Sequence, residues 1–146
     1  MTNRRISRRL RLLVRERAYG CCEYCLSQEA YATQGFSVEH IVPFTAQGKT
    51  TASNLALACQ GCNNFKYDKI TALDPVSHQV APLFHPRRDN WHAHFIWNHD
   101  CTLIIGLTPT GRATIATLHL NREGVVNLRR LLLLAGKHPP QLPSQE

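Results

Sequence analysis

The chain has 146 residues, 43% hydrophobic and 18% charged, with a net charge of +7. That length predicts a single domain able to bury a real core. No apolar run approaches a membrane span, and arginines interrupt every apolar run near the N-terminus, so a span and a secretory signal are both unexpected and a cytoplasmic location is expected.

The charge is uneven. Residues 1–17 carry seven Arg against Glu16, a net of +6, which leaves about +1 for the rest. Such a block suits a polyanionic partner, because each phosphate it neutralises releases counterions; a solvated helix face is the plain alternative. From Ile6 the positions Ile6, Leu10, Leu13, Val14 and Ala18 recur at helical intervals, with arginines opposite, and Gly20 supplies a stop. This helix leads into Cys22-Glu-Tyr-Cys25. A connection ending in Gly35 follows. Phe36 to Pro43 alternates and is β-rich, which predicts a strand ending near Pro43. Thr45–Ser53 reads as a polar loop. Leu55–Cys59 is a strand or a single helical turn, and Cys62–Lys69 a helix.

Beyond Asp74-Pro75, Pro82 and Pro86 bracket a loop. Strands are expected over Ala93–Trp97 and Thr102–Leu107. An apolar-periodic segment runs to Leu120. Asn121 suits the N-cap of a last helix, Arg122–Ala135, stopped by Gly136. The tail from residue 137 is expected to be disordered. There is no internal repeat.

Six Cys in a chain expected in the cytoplasm argue against a disulfide framework. Cys22/Cys25 and Cys59/Cys62 have the spacing of a zinc site, and four thiolates leave no open position, so that zinc would be structural. Cys21 and Cys101 read as reduced thiols. The spacer is unusually long: 33 residues separate Cys25 from Cys59, against about 15–20 in common double Cys pairs. The insert holds Glu39, His40 and Asn54, and Asn63 abuts the second pair. A carboxylate is a hard ligand for a divalent cation, and a neutral imidazole takes a proton from water near neutral pH. Water, a base and a cation are the minimum for phosphodiester hydrolysis. A structural His beside a Glu is the alternative. His92 and His94 on one strand face suggest a second metal site, an aromatic patch for bases, or plain packing.

Residues 15–70 resemble the HNH endonuclease family in its zinc-stapled branch. The resemblance rests on Cys22-x-x-Cys25, Glu39-His40-Ile41-Val42-Pro43, Asn54-Leu55 and Cys59-x-x-Cys62-Asn63-x-x-Lys66. It implies an α+β fold: a ββα-metal core over residues 1–75 with its basic N-terminal helix, and a strand/helix extension over 76–136 packed on that core as one domain. It implies a metal-dependent endonuclease acting on DNA, most simply double-stranded, with no membrane and no obligate protein partner. By the same resemblance His40 is the general base, Asn54 ties the loop and aligns His40, and Glu39 and Asn63 hold one catalytic Mg²⁺ or Mn²⁺. Cys22, Cys25, Cys59 and Cys62 hold one Zn²⁺. Two departures stand out: Asn63 replaces a frequent His, and Glu39 a frequent Asp or His. Lys66 and the arginines Arg4, Arg8, Arg11 and Arg15 are candidate nucleic-acid contacts. A non-catalytic zinc-stapled binding module and a nuclease acting on RNA are the rivals.

Overall fold

The computed structural model describes residues 5–143; Arg4 lies outside them. The fold is mixed α+β, with five helices and three two-stranded antiparallel sheets among the described residues. Its contacts divide it into two compact units. The first runs to Ile70 and takes in His85–Arg88, and the second comprises Thr71–Phe84 and the chain from Asp89. No helix among the described residues is long and apolar enough to cross a membrane.

In the first unit, α1 spans Arg8–Arg17. The Ser7 hydroxyl accepts from the Leu10 amide at 3.2 Å, satisfying one orphan donor, and Arg15 and Arg17 in the last turn suit the negative end of the dipole. The helix buries Val14, flanked by Ile6 and Ala18, but Leu13 stays 43% exposed. The apolar stripe is therefore narrower than its periodicity predicts. The helix stops where expected: Tyr19 and Gly20 both take positive φ, and the Gly20 amide closes back on the Arg15 carbonyl at 3.1 Å.

Strand β1, Ser37–His40, pairs antiparallel with β2, Leu55–Ala58, placing Glu39 opposite Ala56 and His40 opposite Leu55. All four residues of β2 are buried, which resolves the sequence ambiguity in favour of a strand. Helix α2, Gln60–Lys66, starts two residues earlier than expected because the Cys59 sulfur caps it, accepting from the Cys62 amide at 3.5 Å. Together β1, β2 and α2 make a ββα unit.

The second unit contains a hairpin that the sequence did not announce, β3 (Thr71–Leu73) with β4 (Val80–Pro82). Three-residue strands are too short for alternation to stand out. The buried Asp74 organises their turn, accepting from the amides of Val76 and Ser77 and, through both oxygens, from Arg112 at 3.0 and 2.9 Å. The expected strand at Ala93 begins later. Residues Trp91–His94 form a helical turn, α3, capped by Asn90, and β5 (Phe95–Trp97) pairs with β6 (Ile104–Gly106). Helix α4, Pro109–Leu118, is capped by the Thr108 hydroxyl, and Phe84, Trp91, Phe95, Ile104, Leu118 and Leu120 fill this unit's core.

Helix α5 spans Glu123–Leu134 with Arg122, not Asn121, at its N-cap. Asn121 instead bonds both the amide and the carbonyl of Ile104, each at 2.8 Å, as a strand partner would. A buried strand-end amide outcompeted a helix terminus for this side chain. Arg129 is buried beneath it, donating to the carbonyls of Thr102 and Leu120 at 2.9 and 2.7 Å. The tail is held at its start: the His138 ring meets Trp97 edge-on with centroids 4.8 Å apart, and its Nε2 lies 2.8 Å from the Cys101 carbonyl.

Candidate metal centre and catalytic pocket

The four paired cysteines converge. The ligand sulfurs of Cys22, Cys25, Cys59 and Cys62 all lie within 4.8 Å of one another, and all four residues are buried. The first pair sits on a tight knuckle. The Cys22 amide donates to the Ser27 carbonyl at 2.8 Å, the Leu26 amide returns to the Cys22 carbonyl at 2.9 Å, and Leu26 adopts φ 61°. Glu23 fastens the knuckle to the sheet, its amide on the Leu57 carbonyl at 2.9 Å and its carboxylate on the Leu57 amide at 2.8 Å. The second pair opens α2. The sulfurs of Cys25 and Cys59 are 3.7 Å apart, close to the edge of about 3.8 Å that a tetrahedron with Zn–S bonds of about 2.3 Å requires.

The donor chemistry agrees. All four are free thiols. Hydrogen bonds from Cys22 and then from Cys25 and Cys62 hold the Cys59 thiol far below its ordinary range, whereas burial pushes Cys22 well above it. A thiolate held among other buried sulfurs, out of water, needs a cation beside it. The cluster therefore suggests a zinc site. Cys21 stands apart: burial pushes its thiol up to about 11, leaving it protonated and inert.

Beside the cluster, the first unit opens a cavity of about 460 Å³ lined by Arg11, Phe36–His40, Asn63 and Tyr67. Glu39, His40 and Asn63, expected together from sequence, share this wall. Glu39 is 7% exposed. One carboxylate oxygen accepts from the hydroxyl of the fully buried Tyr24, and the other pairs with Lys66 Nζ at 3.3 Å. Burial raises the Glu39 carboxyl above its ordinary value, opposed by Lys66 and Tyr24. Each carboxylate oxygen keeps a further lone pair, so Glu39 can still ligate a cation on its cavity side.

His40 is partly exposed. Its Nε2 lies 2.8 Å from the Thr50 hydroxyl. Burial, then the Lys66 charge, lowers its basicity below the ordinary imidazole value, which keeps the ring neutral near pH 7. The Asn54 side chain makes its hydrogen bonds elsewhere than to the ring. It clamps the β1–β2 connection, accepting from the Val42 amide at 2.9 Å and donating to the carbonyls of Val42 and Lys49 at 3.0 and 2.9 Å. Gly48 completes the clamp, since any side chain there would collide with the Val42 carbonyl. Asn54 therefore bonds within the loop, and the hydroxyl hydrogen-bonded to the imidazole is that of Thr50. Sequence reasoning passed over Thr50 and Tyr24: a hydroxyl ten or fifteen residues away has no spacing signature.

Lys66 departs furthest from expectation. It is 1% exposed, with Nζ donating to the Ile41 carbonyl at 2.8 Å and paired with Glu39, so it is not offered to a phosphate. Among the arginines, Arg8 and Arg11 are exposed and line another, basic recess with Arg5. Arg11 also lines the cavity that holds Glu39, His40 and Asn63. Arg15 is engaged, on Glu29 at 3.4 Å and on the Phe36 carbonyl at 3.0 Å. In the second unit His92 and His94 form no metal cluster; His94 Nδ1 lies 2.6 Å from the Thr108 hydroxyl. The four-Cys group is the one cluster of possible metal-ligating side chains among the described residues.

The HNH endonuclease family model matches residues 22–69, the span from the first knuckle to the end of the ββα unit. The Cys cluster fits the zinc-stapled variant, and the match points to nuclease chemistry on nucleic acid. The chain matches no curated protein and no solved structure.

Proposed function

We propose, starting from residues 22–69 as an HNH endonuclease segment, that this chain hydrolyses DNA phosphodiester bonds at the cavity walled by Glu39, His40 and Asn63. One observation carries the reading: a neutral imidazole, a carboxylate and an amide oxygen donor open on one cavity beside an exposed arginine. With Nε2–H donating to Thr50, the Nδ1 lone pair of His40 accepts a proton from water. The resulting oxygen attacks phosphorus, and the bond from phosphorus to the departing sugar oxygen breaks. Arg11 neutralises a phosphate at the mouth, and the exposed Arg8 extends that grip along the backbone, which positions the strand without reading sequence.

Glu39 and Asn63 would hold the catalytic cation. These are hard oxygen donors, which fit Mg²⁺ or Mn²⁺ rather than a thiophilic ion. When bound, the cation supplies charge neutralisation at the phosphate and the leaving oxygen. Lys66 already balances much of the Glu39 charge, so the site binds the cation weakly until a phosphate contributes further oxygens. Structural Zn²⁺ on Cys22, Cys25, Cys59 and Cys62 fixes the start of α2 and therefore Asn63.

The test is nicking of supercoiled plasmid with Mg²⁺ or Mn²⁺. The wild type should nick, and His40→Ala should lose roughly 10²–10⁴-fold of the rate. No nicking with either metal, or equal nicking by the variant, would overturn the assignment.

A further inference from the structure

Tyr67 occupies a position that its side chain makes costly. It follows α2 directly, with φ 50° and ψ −110°. The Lys69 amide closes on the Lys66 carbonyl at 2.9 Å, so Lys66–Lys69 is a tight turn with Tyr67 at its first central position. That geometry is the type II′ turn, whose first central position is ordinarily glycine. Gln47 and His119 also have positive φ but sit in the left-handed helical well, with ψ 24° and 54°. Tyr67 lies outside that well, where a bulky residue is strained.

The strain is not offset by packing. Tyr67 is 75% exposed, and it forms no side-chain hydrogen bond or ring contact among the described residues. Its amide is fixed on the Asn63 carbonyl at 3.0 Å, and Tyr67 lines the same cavity as Glu39, His40, Asn63 and Arg11. A strained, unpacked aromatic held to a catalytic wall has a use only for what enters the cavity. Arg11 suits a phosphate; the open aromatic face suits a nucleobase, which stacks on it whatever its identity.

We propose that Tyr67 is a specificity-determining residue that stacks on a nucleobase beside the scissile phosphate. The proposal rests on the nuclease reading and deepens it. A paired, stacked base has no free face to offer. The preferred substrate therefore carries an unpaired or extruded base at the cut, as at a single-stranded stretch, a bulge or an end.

The test is binding to 2-aminopurine oligonucleotides, single-stranded and fully paired, in the His40→Ala background without chelator, so that nothing is cut and structural metal stays in place. The Tyr67-bearing protein should quench the probe and favour the single strand. Tyr67→Phe should retain both properties. Tyr67→Leu should lose the quenching and bind the single strand roughly 5- to 150-fold more weakly, with duplex binding changed much less. Tyr67→Gly, which suits the turn, should show the same loss with no fall in thermal midpoint, excluding misfolding as its cause. A ribose version of the oligonucleotide distinguishes an RNA strand from a DNA strand as the source of the base. Quenching and strand preference unchanged in Tyr67→Leu would overturn the proposal even if the wild type nicks plasmid. The same losses in Leu and Gly without any nicking would sustain the base-stacking role of Tyr67 and overturn only its placement beside a scissile phosphate.

Discussion

The two units are held together by different chemistry. In the first, Tyr24, Lys66, Cys22 and Cys25 are fully buried alongside Val14, Leu55 and Leu57, and Glu39 lies among them; polar and sulfur groups share the interior with aliphatic ones. In the second, Phe95, Leu118 and Leu120 are fully buried with Trp91 and Phe84 beside them, and the aromatic rings meet edge-on or tilted at 5.1–5.4 Å. The first unit keeps ionisable groups next to a cavity and adds to its apolar packing a metal-sized cluster of four buried sulfurs. The second gains its cohesion from apolar area and reserves its buried charges, Asp74 and Arg129, for tying turns and strand ends.

That contrast can be broken in four places. The largest effect is expected at the sulfur cluster. Structural zinc contributes about 10–16 kcal/mol to small folds, so Cys59→Ser or stripping by a chelator should abolish amide protection over residues 22–66. Metal analysis should find about one tightly bound zinc per chain before treatment. A metal-free protein that keeps its protection there would refute the site. Next, Phe95→Ala should destabilise the second unit by about 3–5 kcal/mol, seen in denaturant midpoints and in protection of β5 and β6, while zinc content stays unchanged.

Lys66→Met sharpens the contrast from the other side. Removing one partner of a buried ion pair leaves a charge stranded, at a cost of about 3–5 kcal/mol. The first unit should melt earlier even without nucleic acid. A surface phosphate contact would instead weaken DNA binding and leave the melting unchanged.

The smallest effect is a pH dependence in the second unit. The Arg112 guanidinium, and then the turn amides and Ser77, hold the Asp74 carboxyl well below its ordinary value. A carboxyl depressed on folding contributes stability above its unfolded value. That contribution is lost as pH falls from about 4 toward and through the folded value. Asp74→Asn should remove this acid-side slope, measured as midpoint against pH, without affecting metal content.

Much of the first unit was legible because its signals are local. The spacing within each of the two Cys-x-x-Cys pairs suits a shared cation, which predicts their convergence despite the long spacer between them. Glu39-His40 and Asn63 flank those pairs closely enough that one hairpin and one helix turn bring them to a single wall. Helix α1 and its stop at Gly20 followed from periodicity and from the backbone freedom of glycine. The β3–β4 hairpin was not legible, because its strands are too short to show a period, and its organiser, Asp74, works through Arg112, 38 residues away.

What the sequence by itself determined is therefore the chemistry on offer: thiolates in pairs, an imidazole beside a carboxylate, an arginine-rich helix. Tertiary structure decided how each group is spent. It buried Lys66 against Glu39, set Thr50 rather than Asn54 on the imidazole, turned Asn121 from a helix cap into a strand partner, and left Tyr67 strained and open at the cavity. The placements of Lys66 and Asn121 depend on which buried donor or acceptor lacks a partner once the chain has closed. That quantity exists only in three dimensions, because an unsatisfied group inside costs more than any local preference can return.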